Sequence, residues 1–320
     1  MDFLSGYRAS LKPLEVEEPI DIYVHRPLAY VLARAVYPLP VSPDAITAVS
    51  IVAGIGSALA LLASFPHHLQ VGGLLLFVSA VLDCADGQLA RMRGTSSMFG
   101  RMLDGVADLF TVGAVAPATV VVIWRSLDTP LWMKVTVLLL CCLTMVTTSF
   151  HTTMYDHYKN VFLRLTGPYQ EGEDYEAARS RRAAKDPASL SWVEKVSYPI
   201  YLFYLKSQRD YVVTFDPSTS PRLTMYPPYD PVRGARYRKH AAQAMKVWRR
   251  FFGFGSMVFG LSVFNALGHP EYYLVYRLVV LNAIYYGYLK PLQRRVSQEA
   301  FREMNLALPD RTSETDLAVA

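Results

Sequence analysis

The chain has 320 residues, 52% of them hydrophobic and 18% charged, with a formal net charge of +5 at pH 7. Its apolar residues gather into runs instead of spreading along amphipathic faces, which excludes an ordinary water-soluble domain and points to several membrane crossings. The positive balance calls for no nucleic acid: no nucleic-acid motif is present, and basic residues flanking apolar runs suit an anionic inner leaflet.

The first 19 residues, MDFLSGYRASLKPLEVEEP, have no apolar core of signal-peptide length behind a basic tip, so no cleaved targeting segment is expected. The next stretch, DIYVHRPLAYVLARAVYPLP, places Pro27 at a helix start and sets Leu28, Val31, Leu32, Ala35 and Val36 on one face with Arg34 off it. That pattern predicts an amphipathic helix lying in the membrane interface. Crossing the hydrocarbon core takes about 20 apolar residues, and six stretches qualify: 43–65, 69–93, 98–124, 131–155, 247–267 and 270–290. Cys84, Cys141 and Cys142 all fall inside these stretches, where a disulfide framework is not expected.

Residues 156–246 are rich in Tyr, Arg and Pro, with too few apolar runs for a large core of their own. They read as one or two helices, one near 191–211, plus a loop packed on the membrane domain. The turns near 66–68, 125–130 and 268–271 hold only Arg125 among basic residues, so both termini are expected in the cytoplasm. The predicted architecture is all-α: a cytoplasmic segment 1–40 with its interfacial helix, membrane helices over 41–155, a cytoplasmic insertion 156–246, membrane helices over 247–290 and a tail 291–320.

The stretch DCADGQLARMRGTSSMFGRMLDGVAD, residues 83–108, carries four aspartates where the chain otherwise reads as membrane. Asp83 and Asp86 are three apart near the end of the second apolar stretch; Asp104 and Asp108 are four apart near the start of the third, so each pair shares a helix face. About a turn centred on Ser96 the two pairs face each other at matching depth, on the order of 10 Å inside the cytoplasmic boundary at 1.5 Å per residue. Four converging carboxylates there need positive charge. Arg91, Arg93 and Arg101 offer a salt-bridge network, but three arginines nearer the turn do not easily neutralise four acids. Two hard divalent cations, Mg²⁺, Mn²⁺ or Ca²⁺, balance the charge through oxygen ligands, whereas a cluster without Cys or His is a poor zinc site. Gly87 and Gly100 leave room for a bulky ligand to approach the backbone.

This stretch closely resembles the signature of the CDP-alcohol phosphotransferase family, DxxDGxxARx₈GxxxDxxxD, with Asp83, Asp86, Gly87, Ala90, Arg91, Gly100, Asp104 and Asp108 at the matching offsets. The family is similar too in its six membrane helices, its motif across helices 2 and 3 and its amphipathic helix before the first span; the resemblance covers about residues 20–155. It implies a multi-pass inner-membrane homodimer that transfers a group from a CDP-linked donor to an alcohol and releases CMP. It further implies Asp83, Asp86 and Asp104 as metal ligands, and Asp108 as the general base, also touching a metal. Gly87, Ala90, Arg91 and Gly100 would shape the CDP pocket. Relatives often show Pro-Asn and then Thr before span 1; here SPDAIT keeps Pro43 and Thr47 but carries Asp44, so this segment reads as a helix start.

The expected reaction moves a phosphatidyl group from CDP-diacylglycerol to a small polar alcohol. Leu109 stands where relatives with phosphorylated acceptors carry Arg or Lys, which disfavours inositol phosphate and glycerol phosphate; the helix 3 sequence looks like that of bacterial phosphatidylserine synthases, with serine as a lead. His151, Tyr155, Arg249 and Arg250 are candidates for an acceptor pocket, against snorkelling or interfacial roles. Arg277, within the last stretch, suits a packing or subunit contact. The alternatives are transfer of a polar head group from its CDP ester to diacylglycerol, and a non-catalytic membrane scaffold.

Overall fold

The computed structural model describes residues 3–95, 98–167 and 172–304. Among them it is helical, with no strand: α1 (Phe3–Ala9), α2 (Arg26–Val36), α3 (Pro43–Leu62), α4 (His68–Arg93), α5 (Met98–Ser126), α6 (Leu131–Thr166), α7 (Tyr175–Ala183), α8 (Trp192–Phe215), α9 (Pro231–Phe251) and α10 (Phe254–Ala266). From Pro270 the chain stays helical through α11 (Pro270–Val275), α12 (Asn282–Ile284) and α13 (Lys290–Glu303), joined by wide π-turns at Tyr276–Leu281 and Tyr285–Leu289. Four of these, α3 to α6, contain apolar stretches long enough to cross a membrane.

The chain divides into two compact units, the first built from residues 1–149 and 250–282, the second from 150–249 and 283–320. In the first, α3 starts where the sequence expects: Ser42 accepts a hydrogen bond from the Ala45 N–H at 3.1 Å and Pro43 takes the first turn. The helices then approach through small residues. Ser57 Oγ donates to the Gly72 carbonyl at 2.7 Å, Ser79 Oγ to Ser50 at 2.7 Å and Ser262 Oγ to Gly73 at 2.6 Å. A Cβ on Gly73 would strike the Ser262 carbonyl and the Ala266 backbone, so α4 and α10 pack this closely only without one. Around these contacts Leu61, Leu76, Val115, Val258 and Tyr273 form a core, while Val52, Leu59, Leu74, Leu139 and Val146 are left exposed, as a lipid-facing surface requires.

Helix α2 begins with Pro27 in its first turn. Ala29, Tyr30 and Ala33 are buried, and Leu32 and Val36 pack beside Ala85 and Leu89 of α4. Leu28 and Val31 are exposed on the other side. Small residues therefore dock the helix while a narrower apolar edge remains for lipid.

Three boundaries differ from expectation. Helix α6 runs eleven residues past 155, because the polar run to Thr166 packs in the second unit. The stretch 247–267 breaks at Phe252–Gly253, where Glu18 caps α10: its carboxylate accepts from the Gly255 N–H at 3.1 Å and the Ser256 N–H and hydroxyl at 2.7 Å. Burial pushes the Glu18 carboxyl up to about 8. The segment 156–246 holds three helices, α7, α8 and most of α9, in place of one or two. Its interior is aromatic: Tyr158, Phe162, Tyr198, Tyr226, Tyr237 and Trp248 are buried. Residues from α6 and 283–301 complete that core, with Trp248 Nε1 donating to Gln293 Oε1 at 2.9 Å and Tyr226 against Phe301. Tyrosine-rich surfaces score as polar on a hydropathy scale yet bury large areas once the hydroxyl finds a partner.

Candidate active site

Helices α4 and α5 carry the aspartates. One oxygen each from Asp83, Asp86 and Asp104 lies within 4.8 Å of the others. Asp83 and Asp104 are hydrogen bonded to each other, and Asp108 lies within electrostatic reach of Asp83. Two carboxyl groups in that contact need a proton or a cation between them. The donor set is all oxygen and without Cys or His, so it fits a hard divalent cation, and a 4.8 Å spread is closed by ordinary coordination distances of about 2.0–2.6 Å. Asp86 is 5% exposed, and the other three are half-buried.

Thr47 contributes what the motif does not contain. Its hydroxyl, one turn into α3, donates to Asp86 Oδ2 and also lies 3.2 Å from the Pro43 carbonyl. The Pro-x-x-x-Thr spacing, read above as a helix start, thus also holds a carboxylate in orientation. Outer partners of this kind typically change metal affinity by about 10- to 100-fold. Thr47→Val is expected to raise the Mn²⁺ concentration needed for half-maximal CDP binding by about that factor; an unchanged midpoint in a metal titration assigns Thr47 to packing alone.

The arginines divide. The Arg93 guanidinium donates to carbonyls at the end of α2 and just beyond: Val36 at 3.3 Å, Tyr37 at 2.9 Å, Leu39 at 2.8 Å, and Val41. It caps α2 and is turned to that end of the helix. Arg91 instead places its terminal nitrogens over Gly87, 3.4 and 3.8 Å from where a Cβ would stand, and its Nε donates to the Ser10 carbonyl at 2.9 Å. Ala90 and Gly100 are half-buried. The side chain of Arg101 and the turn centre Ser96 lie outside the described residues.

Among the acceptor candidates, His151 is buried against Phe150 at 5.6 Å and Tyr285 at 5.0 Å, and Tyr155 stacks with Trp248 at 6.4 Å, both within the second unit. Arg249 is half-buried in that unit, and Arg250, in the first, is exposed. Arg277 is a packing residue: its Nε donates to Thr148 Oγ1 at 3.2 Å and it lies 6.0 Å over Tyr273. A second group, Asp21, His25 and Cys84, also converges within 4.8 Å. There His25 Nδ1 pairs with Asp21 at 2.8 Å, and Arg26, bound to Glu17 at 2.9 Å, bears electrostatically on both Asp21 and Cys84, so cationic partners come from the protein itself.

Residues 40–169 match the family model described as CDP-alcohol phosphatidyltransferase. Over this segment the chain is similar to the CDP-alcohol phosphatidyltransferase family. The match contains α3 to α6 and all four aspartates, beginning and ending later than the motif-based estimate of 20–155. The region is similar to a phosphatidylinositol phosphate synthase of Mycobacteroides abscessus, 38% identical over 93 residues. It is also similar to a CDP-diacylglycerol–serine O-phosphatidyltransferase of Mycobacterium leprae, 32% identical over 110 residues. A bifunctional IPC transferase and DIPP synthase of Thermococcus kodakarensis is 32% identical over 109 residues. These matches cover 29%, 34% and 34% of this chain and 39%, 35% and 24% of the relatives, so the chain spans about two-fifths or less of each. Four helices are long and apolar enough to cross a membrane, and the segment that matches the family model contains all four, which points to a membrane protein.

Proposed function

We propose that the chain transfers a phosphatidyl group from CDP-diacylglycerol to a small polar alcohol and releases CMP at the aspartate cluster. The observation that carries this reading is the convergence of Asp83, Asp86 and Asp104 inside the family-matched segment. These residues would hold two divalent cations, Mg²⁺ or Mn²⁺ with Ca²⁺ as a further option, which when bound stabilise charge building on the phosphoryl and leaving oxygens. Asp108 takes the proton from the acceptor hydroxyl. That oxygen forms the new bond to the phosphatidyl phosphorus as the bond to CMP breaks. Gly87 leaves the backbone open beneath the Arg91 fork, which binds the donor phosphates with Ala90 and Gly100 lining the nucleotide side.

The donor carries the lipid in this reading because the cluster sits on the order of 10 Å into the cytoplasmic leaflet by helix rise, where a phosphate is reached while its acyl chains stay in the bilayer. The names of two relatives, one with a phosphatidyl product and one with CDP-diacylglycerol as donor, support the same direction. Leu109, beside Asp108, offers no pairing for an acceptor phosphate, which favours an unphosphorylated alcohol such as serine over inositol or glycerol phosphate. We extend the reading to six spans with both termini cytoplasmic, supported by helix cover over 247–290 interrupted only at Phe252–Gly253 and Leu267–His269. The family resemblance carries a homodimer with it.

The test supplies purified protein and Mg²⁺ or Mn²⁺ with CDP-diacylglycerol plus serine, inositol, glycerol or their phosphates, or with CDP-choline and CDP-ethanolamine plus diacylglycerol. Metal-dependent CMP release and phospholipid are expected from the first mixture. Product from the second alone reverses the direction of transfer, and none from either leaves the scaffold reading.

A further inference from the structure

Helix α8 has two faces that water does not explain. On one, Ser197, Tyr198, Leu205, Gln208 and Val212 are buried within the second unit. The opposite face carries Trp192, Val196, Pro199 and Phe203, spaced four, three and four apart, so at 3.6 residues per turn they fall within an arc of about 60°. All four are exposed, Trp192 at 76% and Phe203 at 71%, and a contiguous apolar stripe of three turns marks a surface that meets something other than water. The stripe is held in place as well. A capping box between Ser191 and Glu194 starts the helix directly before Trp192, and the buried side fixes its rotation. Lys195 and Lys206 stand along one edge of the stripe, exposed and without an ion pair among the described residues. No acid stands on the stripe between Trp192 and Phe203; Glu194, on the other side of the helix, is bound to Lys185 at 2.6 Å.

We propose that this face of α8 docks on an anionic bilayer surface, with Trp192, Val196, Pro199 and Phe203 at the acyl boundary and Lys195 and Lys206 among the headgroups. The inference is independent of the transfer reaction proposed above. An apolar stripe that includes Trp and Phe and is edged by lysines is the make-up of a helix lying in the membrane plane. Tryptophan settles at the headgroup level, where its ring is apolar and its N–H stays wet. Lysine stems cover apolar surface while their ammonium groups reach outward, and the negative potential of an anionic leaflet attracts each of them. A bilayer is at hand, since the chain carries four helices long and apolar enough to cross one. Charge argues against a second copy as the occupant. A two-fold contact between two such stripes sets the lysines of one copy against those of the other, with no acid on the stripe to offset them.

The chain has four tryptophans, so the fluorescence of Trp192 is read as the difference between wild type and Trp192→Phe. Both full-length proteins are placed in lipid nanodiscs of phosphatidylcholine, with and without phosphatidylserine, at one copy per disc. Two quenchers report the surroundings: lipids brominated on the acyl chains, and acrylamide in the water. In discs with phosphatidylserine, Trp192 is expected to be quenched by the brominated lipid and shielded from acrylamide. Lys195→Gln combined with Lys206→Gln should lower the ratio of docked to undocked stripe roughly 25-fold, about fivefold for each lysine lost near an anionic surface. Helix content should be unchanged, because both side chains are exposed. Equal bromine quenching with and without phosphatidylserine, or in wild type and the double variant, overturns the charge-directed docking. Acrylamide access without bromine quenching puts the stripe in water and overturns it; if that access vanishes in discs holding two copies, the face belongs to a second copy. Shielding from both quenchers in single-copy discs assigns the stripe to another part of this chain and overturns the proposal too.

Discussion

Asp108→Asn is expected to reduce turnover by about 10²- to 10⁴-fold, the usual contribution of a positioned general base, while CDP binds with nearly wild-type affinity. The substitution keeps size and one carbonyl oxygen, so the half-buried position on α5 is filled as before. What it removes is a group able to accept a proton from the acceptor hydroxyl. Asp83, Asp86 and Asp104, which converge without it, retain their oxygen ligands for the cations. The separation of the two effects is the decisive feature: single-turnover CMP release falls and the CDP dissociation constant does not. Turnover within about threefold of wild type, a barrier change below roughly 0.7 kcal/mol, would remove Asp108 from the role of base.

The second large effect falls on binding. Asp83→Ala and Asp104→Ala should each abolish divalent-dependent CDP binding, because each removes one of three converging ligands and leaves the site with too few oxygens to hold a dehydrated cation. The metal-free protein should not be destabilised by either change. Asp83 and Asp104 are bonded to each other in a partly buried position, and deleting one carboxylate relieves a contact that otherwise requires a proton or a cation. Melting of the metal-free variants near the wild-type temperature, beside lost CDP binding, is therefore the expected pair of results. Undiminished CDP affinity in both variants, with and without chelator, would sink the metal reading.

The chain's local sequence was sufficient for the helices that bear the aspartates. An apolar run of membrane length satisfies its backbone only as a helix when no water is at hand, and three- and four-residue spacing then decides which side chains share a face. The all-α class, α3 to α6, the start of α3 at Ser42 and Pro43, and the meeting of Asp83, Asp86 and Asp104 all follow from such short-range rules. The helix starting at Pro27 was legible for the same reason, although Ala29 and Ala33 in its docking face signal packing and not amphipathicity.

What the tertiary structure alone decided lies in contacts between residues far apart in the chain. Thr47 reaches Asp86 from 39 positions away, Ser10 meets Arg91 across 81, and Glu18 caps α10 across 238. Arg93, by sequence one of three possible partners for the acids, turns to the carbonyls just beyond α2, which have no partner within that helix. The second unit was least legible. Its core joins Tyr158 and Phe162 of α6, Tyr198 of α8, Trp248 of α9 and Phe301 of α13, aromatic residues that no hydropathy window collects into one run. Periodicity records which way a side chain faces on its own helix; which group it meets depends on how distant helices pack, and that is set by the close fit of small residues such as Gly73 and by the pairing of every buried polar group.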